Sequence, residues 1–105
     1  MGTVTENIVP GNIGTTLDKL TATIHERKTA DPATSYTAKL LQGPEDELLS
    51  KVGEEAVEVI MAAKDDYREH IRYEAGDLVY HLLVVLERYD IPIEELAGEL
   101  DARMH

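Results

Sequence analysis

The chain has 105 residues, no cysteine and a formal charge of −11. That length points to one small domain, near the size at which association often supplies part of the stability. Without cysteine there is no disulfide framework, thiol nucleophile or zinc–thiolate site, and the charge argues against nucleic acid or an anionic membrane as a direct partner.

No apolar run reaches membrane-spanning length and the N-terminal residues lack a signal-peptide pattern, so a cytoplasmic location is expected. Met1 to Gly14 carries Pro10, Gly11 and Gly14 with no sustained period and is expected to form a flexible leader, with residues 15–105 as the folded domain. Thr15, with Asp18 three places on, is expected to cap a first helix. Its core stripe is Leu17, Leu20 and Ile24, and it ends near His25-Glu26-Arg27-Lys28. Thr29 to Gly43 is expected to be a connection, broken at Asp31-Pro32, with Ser35 to Leu41 as a less regular piece. Its hydroxyls and Lys39 would suit phosphate oxygens, and would equally suit a solvated loop.

Gly43-Pro44-Glu45-Asp46 starts a second helix, with proline at the first helical position and acids in the first turn, running to about Lys64. Gly53 weakens it by ~1 kcal/mol against alanine, for which close approach of another chain or a ligand, or packing alone, would be a reason. Asp66 with Glu69 is expected to cap a third helix, about Tyr67 to Tyr89. From Asp77 to Leu86 its only polar side chains are Asp77, Tyr80 and His81, so it is apolar almost all round. A short chain cannot wrap such a helix, and a homodimer with this hairpin near its interface is expected. Asp90-Ile91-Pro92 ends the helix, and Ile93, Leu96, Leu100 and Met104 mark a final amphipathic one. The fold class is therefore all-α: a bundle of about four helices around an antiparallel pair, with no strand-like alternation.

The two central helices carry Glu55 and Glu58, then Glu74 and Asp77, each pair at a spacing that shares a helix face. If the chain reverses near residue 65, Glu55 and Glu58 lie ten and seven residues before the turn, and Glu74 and Asp77 nine and twelve after it. At about 1.5 Å rise per residue the pairs are level. On the helical wheel Leu49, Val52, Ala56, Val59, Ile60 and Ala63 form the core stripe of the second helix, with Glu55 at its margin and Glu54 nearly opposite. Glu74, Asp77 and His81 run along the edge of the third helix's stripe, with apolar residues on both flanks.

Acidic side chains on helices are ordinarily solvated, but level pairs between apolar flanks are not an ordinary surface. Two like charges at about 4 Å repel by roughly 4 kcal/mol at an effective dielectric near 20. Such a group takes up protons or binds a cation, and all-oxygen donors favour Mg²⁺, with Mn²⁺ a close second, over zinc.

Four blocks, in order, resemble a known family. Glu54-Glu55-x-x-Glu58 followed by Glu74-x-x-Asp77 resembles the signature of the all-α nucleotide pyrophosphohydrolase (MazG-like) superfamily. Glu26-Arg27-Lys28, Ser35 to Leu40, Lys51 to Glu55 and Asp77-Leu78-x-Tyr80-His81-Leu82-Leu83 are similar to the phosphoribosyl-ATP pyrophosphohydrolases of histidine biosynthesis. The resemblance spans roughly residues 16 to 100, and Gly76 stands where alanine or serine is expected.

The resemblance implies a Mg²⁺-dependent helical homodimer that hydrolyses 1-(5-phosphoribosyl)-ATP to 1-(5-phosphoribosyl)-AMP and pyrophosphate, the second step of the pathway. By motif position Glu55, Glu58, Glu74 and Asp77 would be metal ligands, with Glu55 or Glu58 as the catalytic base and Glu54 and His81 in support. Arg27, Lys28, Lys39 and Lys51 are candidates for the substrate's phosphates. Some relatives carry a fused cyclohydrolase domain with metal-binding cysteines, for which this chain has neither room nor cysteine. The alternatives are a housekeeping (d)NTP pyrophosphatase of the same superfamily and a non-catalytic acidic helical dimer.

Overall fold

In the computed structural model, which describes residues 7–104, the first helix begins earlier than Thr15. Asn12 caps it, its side chain accepting from the Thr15 amide at 3.0 Å, and α1 runs Ile13–Glu26. Asparagine is among the strongest caps, so helix begins inside the expected leader; residues 1–6 of that leader lie outside the described residues. A 3-10 turn, Arg27–Thr29, follows.

The stretch expected as irregular then forms α2, Tyr36–Gln42, capped by the Ser35 side chain accepting from the Ala38 amide at 3.1 Å. Two turns are too short to show a helical period, and only the cap marks them in the sequence. Gln42 returns to the carbonyls of Lys28 and Ala30, tying α2 to the 3-10 turn.

Next come α3, Glu45–Lys64, with Pro44 at its N-cap, and α4, Arg68–Arg88. Asp66 does not cap α4. It sits at φ 55° just past the end of α3, with its amide bonded to the Ala63 carbonyl at 3.1 Å. Asp90 repeats this at φ 57° after α4, where the amides of Asp90 and Ile91 bond to the carbonyls of Glu87 and Leu86. Aspartate is one of the few side chains that tolerates the left-handed turn usually given to glycine. The last helix, α5, is Ile93–Asp101, ending before Met104. Among the described residues there is no strand, and no helix is long and apolar enough to cross a membrane.

The core is a cluster of Ile24, Leu40, Leu48, Leu83 and Val84, so α1, α2, α3 and α4 all contribute to it. The stripe expected for α3 is not what the chain buries. Leu48, Glu55 and Ala62 are buried on α3, while Leu49 and Ile60 are exposed. On α4 the expected polar edge points inward, with Glu74, His81 and Val84 buried and Leu82 exposed. Each helix is thus rotated so that its acidic line faces the other helix. A Cβ added at Gly53 would meet nothing within 4 Å, so packing within this chain is not the reason for that glycine.

Candidate functional site

The α3/α4 hairpin positions three carboxylates. Each of Glu55, Glu74 and Asp77 offers an oxygen, and these oxygens all lie within 4.8 Å of one another. Glu55 is 4% exposed and Glu74 7%. One oxygen of each, Glu55 Oε2 and Glu74 Oε2, is fully buried with no hydrogen-bond partner among the described residues. A buried carboxylate oxygen without a donor is costly, since the desolvation penalty stands uncompensated.

The electrostatics follow. Burial, then the charge of Asp77, a hydrogen bond with Asp77 and the charge of Glu74 push the Glu55 carboxyl up to about 7, against a weaker downward pull from Lys51. Burial and the charges of Glu58 and Asp77 likewise raise Glu74. The chain therefore holds in its interior a group of acids whose burial and mutual repulsion outweigh the pull of Lys51 and His70, and its oxygen-only donor set fits a hard divalent cation.

Of the other candidate residues, Glu58 acts on Glu74 through its charge but lies outside the group of three. Glu54 points outward to Lys51, 3.7 Å away. His81 is buried, with Nδ1 2.8 Å from the Asp77 carbonyl oxygen and Nε2 3.1 Å from the Tyr36 hydroxyl. Lys39, Lys51 and Glu54 line a cleft of about 460 Å³ together with Tyr36 and Ser50.

Lys28 and Arg27 are placed differently. The Lys28 ammonium is held by Asp90 at 2.7 Å and Glu87 at 3.6 Å, at the C-terminal end of α4. That is on the order of 20 Å along α4 from Asp77. Arg27 lies 3.9 Å from its neighbour Glu26. Sequence reasoning assigned no role to Tyr36, whose signal is an aromatic directly after the Ser35 cap.

An all-α fold whose central hairpin buries carboxylates able to hold a cation, beside a lysine-bearing cleft, defines the class of protein. Within it, residues 17–104 match the model of the phosphoribosyl-ATP pyrophosphohydrolase family. The chain is 54% identical over 89 residues to the phosphoribosyl-ATP pyrophosphatase of Nitrosomonas eutropha, covering 85% of this chain and 76% of that protein. It is 49% identical over 90 residues to the protein of that name from Rhodobacter capsulatus, covering 85% and 86%. With the one from Rhizobium johnstonii it shares 44% over 90 residues, covering 86% and 84%. The chain belongs to the phosphoribosyl-ATP pyrophosphohydrolase family.

Proposed function

We propose that the protein hydrolyses 1-(5-phosphoribosyl)-ATP to 1-(5-phosphoribosyl)-AMP and pyrophosphate in the cytoplasm, as the second step of histidine biosynthesis, with Mg²⁺ as cofactor. One water is consumed: its oxygen bonds to phosphorus as the bridging P–O bond between the α- and β-phosphates breaks, and its protons pass to the base and to the phosphate oxygen set free. The observation that carries the reading is the pair of buried, partnerless oxygens on Glu55 and Glu74 beside Asp77.

Glu55, Glu74 and Asp77 would hold the cation, with Glu58 adding its charge beside Glu74. When bound, Mg²⁺ supplies charge neutralisation to the polyphosphate and a stronger acid in the attacking water. Glu55 is the base of this reading, taking the water's proton from within the buried carboxylate group. Lys39 and Lys51 face the phosphate chain as point charges from the adjoining cleft. Lys28, with two acidic partners, ties the 3-10 turn to the end of α4.

The assembly is a homodimer. Leu49, Val57, Ile60 and Met61 on α3 and Val79 and Leu82 on α4 are 40–59% exposed. A second chain covering them would remove a patch that a monomer rarely leaves open. Gly53 lies among the α3 members of this patch, which gives close approach of that second chain as its reason.

The test is Mg²⁺-dependent pyrophosphate release from phosphoribosyl-ATP, run beside a panel of dNTPs. Release from phosphoribosyl-ATP in clear preference to the panel supports the reading; preference for a dNTP points to the housekeeping pyrophosphatase instead.

A further inference from the structure

Tyr36 stands at the first position of α2 with its hydroxyl committed and its ring about half exposed, at 49%. The Asp77 carbonyl oxygen only accepts, so His81 Nδ1 carries the hydrogen there, and Nε2 of the neutral ring accepts from the Tyr36 hydroxyl. His81 is buried and cannot swing away. Tyr80 stacks beside the Tyr36 ring, with centroids 6.4 Å apart and planes at 24°, and the His81 ring meets it edge-on at 6.0 Å. Tyr80 is itself held through its hydroxyl by Thr37. Two anchored rings therefore fix the plane of a third, whose remaining surface lines the cleft with Lys39, Ser50, Lys51 and Glu54.

The cleft and the acidic group are neighbours. After burial and Tyr80, the charges of Glu55, Asp77 and Glu54 raise the Tyr36 phenol, and Lys51 acts on Glu55. An aromatic plane locked by its polar end, next to lysines and a carboxylate group, presents a flat apolar surface at one end of a polyphosphate path. Bases stack on such surfaces whatever their edges carry, and a volume of this size holds a purine.

We propose that Tyr36 is the platform on which the substrate's adenine stacks, held in position by His81, with the phosphates running past Lys39 and Lys51 to the acidic group. The proposal deepens the phosphoribosyl-ATP reading and rests on it for the identity of the base. It makes Tyr36 a substrate-binding residue and His81 a positioning residue.

Calorimetric binding of AMP and of inorganic pyrophosphate, both with excess Mg²⁺, separates the base from the phosphates. Tyr36→Leu should weaken AMP by about tenfold or more while pyrophosphate changes less than about twofold. Tyr36→Phe, which keeps the ring but loses the hydroxyl held by His81, should weaken AMP less than Tyr36→Leu and to about the same extent as His81→Leu. His81→Leu should weaken AMP in the same direction, and His81→Gln, whose amide oxygen can take the Tyr36 hydroxyl, should recover it. Unchanged AMP binding by Tyr36→Leu, or equal losses for both ligands, would overturn the platform. A glutamine variant as weak as the leucine one would remove His81 from the role. These arms need no turnover, so wild-type chain that binds AMP through Tyr36 yet leaves phosphoribosyl-ATP intact would contradict the reaction and not the platform.

Discussion

The two ends of α4 treat acidic side chains in opposite ways. At its C-terminal end the exposed Asp90 and the partly buried Glu87 have basic side chains on them: Lys28 is 2.7 Å from Asp90, and His25 is 2.9 Å from Glu87. The hydrogen bond from Lys28 holds the Asp90 carboxyl below its usual range. Toward the N-terminal half, Glu74 and Asp77 meet Glu55 in the interior, where burial and mutual repulsion outweigh the pull of Lys51 and His70, and the carboxyls of Glu55 and Glu74 move up. A cleft of about 430 Å³ borders the first region, lined by Asp18, His25, Glu87 and Ile93 among others, so cleft and charge alone do not single out a site. Burial without a partner does.

Substitutions that exchange the two regions should separate them most. Glu55→Gln should lower pyrophosphate release by about 10²-fold, as loss of a catalytic electrostatic group does, while Asp90→Asn leaves the rate within about twofold. Steady-state assay of the two variants checks this. Glu58→Gln, from outside the group of three, should cost tenfold or more on the same scale; an unchanged rate would favour a non-catalytic acidic dimer.

Stability should run the other way. The Glu55 carboxyl titrates at about 7 in the fold and at 4.5 ordinarily, so between those values the folded chain binds more protons than the unfolded one. Cation-free stability therefore falls as pH rises from 4.5 to 7, and the penalty is fully present above 7. Glu55→Gln removes it, and thermal unfolding at pH 8 without Mg²⁺ should show Tm raised by about 5 °C or more. At pH 4 the variant and the natural chain should unfold together. Asp90→Asn has the smallest effect, leaving Tm essentially unchanged, because an exposed ion pair contributes little.

Height was legible in the sequence and facing was not. Counting residues from a turn near 65 put Glu55 level with Glu74 and Asp77, as the structure has them, because helical rise is uniform whatever the side chains. The wheel rotated α3 wrongly. It turned the most apolar stripe inward, whereas Leu49 and Ile60 face out and Glu55 faces in. Periodicity assigns apolar residues to a single-chain core, and a surface meant for a second copy carries the same signature. Glu58 lies one turn from Glu55 and shares its neighbourhood but not its group. The Lys28 pairing with Asp90 spans 62 residues, and nothing local in the sequence announces a contact of that range. The Tyr36 link to His81 was hidden for the same reason, and for the further one that α2 is too short to show a period.

The most direct test of the central claim is calorimetric titration of Mg²⁺ into the chain at pH 6.5, repeated in buffers of different ionisation heat. Saturable binding should release protons from the Glu55 group, with Glu55→Gln losing both the affinity and the release. Binding by Glu55→Gln as tight as that of the natural chain, with the same proton count, would contradict it.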